Sequence, residues 1–309
     1  MEKTIYLAGG CFWGVEAYFK RVKGVLDTQV GYANGKDENA TYTNLKNSLH
    51  AETVKVVYDS EVVSVEELVL HLFKIIDPAS LNKQGNDVGT QYRTGVYYKD
   101  VNDYLTIDKL FNYLKKQYKE FYVELKVLNH FIDAEAYHQD YLTKNPTGYC
   151  HINLDTDYSL SKDDYQLIKQ VRNELSLSQL SYDILKNSAT ERPHTSVLNN
   201  EYRKGIYVEK ITGEPLFSSN TKFNSGCGWP SFSEPIFKDT VKYLDDTSHN
   251  MFRIEVRSGQ GDHHLGHVFN DGPKEMGGKR YCINGAAIDF IPYEEMDEKG
   301  YSEFKKFVK

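Results

Sequence analysis

The sequence predicts an N-terminal α/β (α+β) domain, a mixed sheet with flanking helices, followed by a mainly β domain of small twisted antiparallel sheets. Three observations predict it. Strand-like and amphipathic helical stretches are interleaved through about residue 155. Composition changes after "GYCHINLDTD", where a helical period takes over. From about residue 195 the chain becomes short strand-like runs broken by turns. The expected limits are 1–155 for the first domain, 156–176 for a helical linker and 177–309 for the second. No internal repeat is visible, so the halves are unlike units in one chain.

"TIYLAGG" reads as a short strand ending in glycines, and "CFWGVEAYFKRVKG" as a helix closed by Gly24. "HAETVKVVYD" alternates as a strand. Ser64 and Glu67 form a capping box ahead of "VEELVLHLFKII", whose apolar positions recur every three and four residues; Pro78 follows. "QYRTGVYY" is strand-like, "YLTIDKLFNYLKKQYKEF" a long helix and "VELKVLNHF" another strand. In the linker, Ser161 and Asp164 cap a helix with Tyr165, Ile168, Val171 and Leu175 on one period, and it runs into a second helix. "GIYVEK", "EPLFSS", "VKYLDD", "MFRIEVRS", "HLGHVFND" and "RYCINGAAIDFIP" are the strand-like runs of the second domain.

Composition is that of a soluble globular protein: 309 residues, 40% hydrophobic, 26% charged, formal net charge -7. Lysines and acids are interspersed, so neither nucleic acid nor a membrane is an expected partner. "MEKTIYLAGG" is too short and interrupted for a signal peptide, which makes the cytoplasm the expected compartment. The cysteines, Cys11, Cys150, Cys227 and Cys282, are too sparse for a disulfide framework and include no CxxC pair. Two fall in each half, as two separate two-cysteine sites would require.

Cys11 stands at a helix start, where free backbone N–H groups are expected to favour its thiolate. Gly9 and Gly10 leave room for an approaching substrate, and Phe12 and Trp13 offer an apolar surface. A satisfied core cysteine is the competing reading. "GGCFWG" resembles the signature of the A-type methionine sulfoxide reductases, and the likeness continues through "TYTNLKNSLHAETVKVVYD", "DPASLNKQGNDVGTQYRTGVYY", "AEAYHQDYL" and "NPTGYC". That resemblance implies Cys11 as nucleophile, Glu52 as the acid near the sulfoxide oxygen, and Tyr42 and Tyr92 as hydrogen-bond donors to it. It further implies that Asp87 steadies the site, that Phe12 and Trp13 hold the substrate methyl group, and that Cys150 is the resolving cysteine. The chain departs from the family in its shorter stretch between Tyr42 and Glu52 and in lacking a glycine-rich tail with a further cysteine. The chemistry suits the residues: a thiolate attacking sulfur pushes charge onto oxygen, which a protonated carboxyl and tyrosine hydroxyls can accept. His138 and Gln139 are read as packing and hydrogen-bonding residues.

In the second half, Cys227, Cys282, His264 and His267 could be zinc donors or a redox site. "SGCGWPSF", "HHLGHVFNDGP" and "RYCINGAAIDF" resemble the B-type methionine sulfoxide reductases. The resemblance implies Cys282 as nucleophile, Cys227 as resolving cysteine, and His264 and His267 as the groups that polarise the oxygen. It implies that Asn284 and Arg280 orient the cysteine, with Arg280 favouring its thiolate, and that Trp229 and Phe269 line the substrate pocket. Many B-type members hold zinc through two CxxC pairs. Glu209, Thr212, Ser258 and Gly261 stand at those positions here, so no structural zinc and no bound metal are expected, and other contacts must hold those loops.

Together these resemblances imply a bifunctional enzyme reducing methionine-S-sulfoxide in its first domain and methionine-R-sulfoxide in its second. The substrates would be oxidised proteins and free methionine sulfoxide, recycling would use thioredoxin or another dithiol, and no cofactor would be bound. The competing classes are a general thiol peroxidase or disulfide exchanger, and a non-catalytic binder of oxidised methionine peptides.

Overall fold

Five successive buried residues, Ile5 to Gly9, end the first strand, β1 (Glu2–Gly9), and a strand buried on both faces belongs inside a covered sheet. The computed structural model, which describes residues 1–248 and 251–308, places it there. The chain divides into two units, Met1–Ile168 and Lys169–Lys309.

In the first unit β1 leads to α1 (Phe12–Phe19), β2 (Val25–Ala33), α2 (Leu45–Ser48), β3 (Ala51–Asp59) and α3 (Val65–Ile75). The short pair β4 (Lys83–Gln84) and β5 (Asp87–Val88) follows, then β6 (Thr94–Tyr98), α4 (Val101–Leu114), β7 (Glu124–Val127), β8 (Phe131–Asp133) and α5 (Tyr141–Lys144). The main sheet has the order β7-β6-β1-β3-β2-β8. Only β6 and β7 pair in parallel, and α4 makes the crossover that parallel pairing needs. The expected mixed sheet with flanking helices is observed. Val15, Tyr18 and Phe19 of α1, Leu68 and Leu72 of α3, and Leu110 and Phe111 of α4 are buried, each such side chain contributing roughly 1.5–3 kcal/mol.

The Ser64 capping box forms as expected, with Glu67 accepting from the Ser64 backbone at 2.8 Å. Two expectations are corrected. The first helix ends at Phe19 rather than near Gly24, because its last turn tightens to Arg21→Tyr18 and Val22→Phe19 bonds. Gly24, at φ +96°, instead turns the chain into β2. "VELKVLNHF" is a strand only over β7, and its last residue, Phe131, begins β8 on the opposite edge of the sheet.

α6 (Lys162–Leu175), capped by Ser161 and Asp164, runs across the division between the units. Ile168 and Val171 are buried as its period requires, whereas Tyr165 and Leu175 are exposed. After α7 (Gln179–Asn187) the second unit is built of β9 (Gly205–Glu209), β10 (Pro215–Ser218), β11 (Lys222–Phe223), β12 (Ser231–Phe232) and β13 (Val241–Asp246). β14 (Arg253–Ser258), β15 (His264–Phe269), β16 (Arg280–Ile283) and β17 (Ile288–Pro292) complete it. They form two antiparallel sheets, β10-β9-β17 and β11-β12-β16-β15-β14-β13. Tyr207, Phe217, Phe232, Leu265 and Ile283 fill the core of this unit.

Candidate active sites

The turn between β1 and α1 fixes the first site. Gly10, at φ +88°, lies so close to Gln84 that a Cβ would stand 2.6 Å from that residue's Cβ. Cys11 follows as the helix N-cap and is 6% exposed. Glu52 on β3, 2% exposed, accepts the Phe12 backbone N–H at 3.1 Å, so the carboxyl sits against the same helix start. Burial pushes the Glu52 carboxyl up to about 8, with Asp87 adding to the rise and the Phe12 N–H opposing it.

The expectation of a depressed Cys11 thiol is corrected. The Trp13 and Gly14 N–H groups do favour its thiolate, but burial and the neighbouring Glu52 outweigh them and raise it. The resting site therefore holds a thiol beside a protonated acid.

Around this pair, Phe12 packs on Tyr32 and on His138, with ring centroids 5.9 and 5.2 Å apart. Trp13 stacks on Tyr141 at 3.8 Å and donates its indole N–H to His138 Nδ1 at 3.2 Å. Tyr42 stands at the rim with its ring 4.7 Å from His138. Burial raises both Tyr42 and Tyr92, which keeps their hydroxyls protonated. Asp87 accepts from Tyr149 Oη at 3.1 Å.

Cys150 is half-buried beside α1, where a Cβ on Gly14, one turn after Cys11, would come 3.0 Å from its sulfur. Its segment is docked rather than loose. Cys150 Sγ donates to Ile152 O, His151 Nε2 is 3.2 Å from Gly9 O, and Tyr149 holds Asp87. His138, which the sequence reads as packing, also belongs to the site, as do Glu135 and Tyr32, for which the sequence carries no signal. Glu135 joins Tyr32 Oη at 2.7 Å to the Tyr42 backbone N–H at 3.0 Å.

In the second unit, sheet register makes the site. β15 and β16 pair with His267 opposite Cys282 and Phe269 opposite Arg280, and β12 brings Ser231 opposite Cys282. A Cβ on Gly266 would stand 2.1 Å from Cys282 O, so the close approach of these strands requires glycine. Cys227 and Cys282 are 3.4 Å apart, sulfur to sulfur. Burial opposes ionisation of Cys227, but Ser225, donating at 3.0 Å, and Ser231 hold it down to about 7. Burial and that same neighbour raise Cys282, and Arg280 only partly offsets them. The two thiols thus titrate as a coupled pair.

Arg280 favours the Cys282 thiolate without outweighing burial and the neighbouring Cys227. It forms a bidentate pair with Asp271, both contacts 2.9 Å, and lies 4.4 Å over the Phe269 ring.

His267 Nε2 bonds Asp246 at 2.7 Å and His264 Nδ1 bonds Glu255 at 2.6 Å. Burial lowers His264 despite Glu255, which leaves it neutral, with Nε2 buried and unpartnered. A cavity of about 100 Å³ is lined by Thr190, Trp229, Arg253, Gly266, His267, Phe269, Cys282 and Asn284. Asn284 donates to Leu265 O and accepts from the Glu191 N–H at 3.0 Å. Glu191, 4% exposed, accepts from Gly285 and Ala286 N–H groups at 2.6 and 2.9 Å, and its carbonyl takes the Trp229 indole N–H. Glu191, Glu255, Asp246 and Arg253 are absent from the sequence-based site.

The four positions that stand where zinc-binding thiols would be come together around His263. Glu209, fully buried, accepts from Thr212 N and Oγ1 at 2.7 and 2.6 Å and lies 3.4 Å from His263 Nδ1. Ser258 accepts from His263 N, and a Cβ on Gly261 would collide with the His263 ring at 2.4 Å. Among the described residues no group of three or more His, Cys, Asp or Glu side chains could hold a metal. Lone acceptors and ring contacts replace a thiolate set.

Two cysteines in each unit, with a buried carboxyl beside Cys11 and imidazoles near Cys282, are the equipment of a thiol-dependent oxidoreductase. Residues 3–168 match the family peptide methionine sulfoxide reductase, and residues 177–292 match the SelR domain. The first match spans more than half of the chain, and the chain belongs to the peptide methionine sulfoxide reductases. It is a fused A-type and B-type enzyme that reduces both epimers of methionine sulfoxide by thiol chemistry.

Similar solved structures include Mxr1 from Saccharomyces cerevisiae in reduced form, 34% identical over 50% of this chain and 93% of that one, TM-score 0.47. Methionine sulfoxide reductase A of Corynebacterium diphtheriae is 35% identical over 48% of this chain and 77% of that one, TM-score 0.44. No helix among the described residues is long and apolar enough to cross a membrane.

Proposed function

We propose the following division of labour between the site residues. In the first domain, residues 1–155, Cys11 attacks the sulfur of methionine-S-sulfoxide while Glu52 gives its proton to the oxygen and receives the thiol proton in turn. The observation that carries this is the buried, protonated Glu52 carboxyl against the Cys11 helix start. Tyr42 and Tyr92 stabilise charge on the oxygen, Phe12 and Trp13 hold the methyl group, and Asp87 orders the Tyr149 side of the pocket. The attack forms a bond between the Cys11 and substrate sulfurs as the oxygen is protonated; transfer of that oxygen to the Cys11 sulfur then breaks both this S–S bond and the substrate S–O bond, giving methionine and a sulfenic acid. Cys150 condenses with the sulfenic acid, releasing water and leaving a disulfide.

In the second domain, residues 177–309, Cys282 is the nucleophile and Cys227 resolves. The 3.4 Å separation of their sulfurs supports this, since closure to a bond of about 2.05 Å needs little movement. His267 faces the substrate oxygen and His264 supports it, Asn284 and Arg280 orient the strand bearing Cys282, and Trp229 and Phe269 contact the methyl group. Residues 156–176 act as a linker.

Each disulfide is reduced by thioredoxin or a similar dithiol, because two electrons must come from outside the chain. Free and protein-bound methionine sulfoxide both serve as substrates, and the enzyme works in the cytoplasm. Peptide mapping after one turnover without reductant tests the scheme. It predicts Cys11–Cys150 and Cys227–Cys282 disulfides; other pairings would overturn it.

A further inference from the structure

The Cys282 cavity is small. Its volume is about 100 Å³. The end of a methionine sulfoxide side chain fits that space, and the neighbouring residues of a protein substrate do not. They must lie on the surface that adjoins the opening. A second cavity of about 470 Å³ adjoins it and shares Arg253 and Phe269 with the first.

Its remaining walls include Phe252, Ile254, Asp245 and Asn270. Phe252 is 95% exposed and Ile254 is also exposed. An unburied phenylalanine beside a reaction pocket offers apolar area to whatever emerges from that pocket. Asp245 and Asn270 add polar groups that can meet peptide N–H and C=O groups. Arg253 is anchored through Nη2, which donates to Asp246 at 2.6 Å and to Ser248 Oγ at 3.1 Å, and it forms a rim between the two spaces.

We propose that this groove is a subsite for the polypeptide flanking the oxidised methionine, and that it selects an aliphatic or aromatic side chain next to the sulfoxide. The proposal rests on the reading of Cys282 as the R-epimer nucleophile. It makes the second domain selective among protein targets by the residue beside the lesion and leaves the chemistry untouched.

Steady-state kinetics on the full chain test it, with methionine-R-sulfoxide flanked by leucine, flanked by serine, and as the blocked single amino acid. The wild type should prefer the leucine peptide. Phe252→Ala should raise KM for that peptide about five- to ten-fold, the loss expected from part of one phenylalanine contact. Its kcat, and turnover of the blocked amino acid, should hold, and Phe252→Leu should restore most of the preference. Equal kinetics for leucine and serine peptides, or an Ala variant that retains the preference, would overturn the groove while leaving the Cys282 reading intact. Failure of the wild type to reduce even the blocked R-sulfoxide would overturn both.

Discussion

Burial holds the Glu52 carboxyl protonated up to about pH 8, and only the protonated form can donate to a sulfoxide oxygen. S-epimer kcat/KM should therefore fall as pH rises through about 8. Stability moves the same way: the folded state binds this proton more tightly than the unfolded chain, so ionisation above the ordinary carboxylate range destabilises the first unit. Glu52→Gln should flatten that limb of the profile and lower S-epimer turnover by about 10²–10⁴. A pH titration of both proteins checks this. In the second site, Glu191 grips the backbone just beyond Cys282 and holds Trp229 and Asn284 through its own main chain. Glu191→Gln should cost about 1–3 kcal/mol of stability in that unit and lower R-epimer kcat, leaving S-epimer turnover as the internal control. Both residues were differently legible. Glu52 stands in a motif, whereas Glu191 acts on residues almost a hundred positions away and has no periodic signature.

At the scale of elements, local signals were readable and non-local ones were not. The Ser64 and Ser161 caps use partners three residues apart, and both form as the sequence implies. The end of α1 and the division of "VELKVLNHF" between two sheet edges depend on packing that no short window contains. The same holds for the histidines. His267 faces Cys282 through strand register, and a slip of one residue would turn it to the other face. Its partner Asp246 and the His264 partner Glu255 come from β13 and β14. The loops after β9 and β14 are held by Glu209, which burial alone would raise but which His263, Thr212 and the Ile211 N–H hold below the ordinary carboxylate range. A lowered group contributes stability above its unfolded value and loses it as pH falls through its folded one. The stability difference between wild type and Glu209→Gln should thus be largest near neutral pH, about 1–3 kcal/mol, and close in acid. Denaturant unfolding across pH measures it. A chelator should change neither the melting temperature nor R-epimer turnover.

For the whole molecule, the proposed scheme gives the two units different proton sources for the same chemical demand, a buried carboxyl in one and imidazoles in the other. Each has its own pair of thiols, so each should lose activity by itself. The most direct measurement is turnover of the two resolved epimers of a blocked methionine sulfoxide by wild type, Cys11→Ser and Cys282→Ser. The account predicts that Cys11→Ser loses the S epimer and keeps the R, and that Cys282→Ser does the reverse. Reduction of both epimers by a chain carrying both substitutions would contradict it.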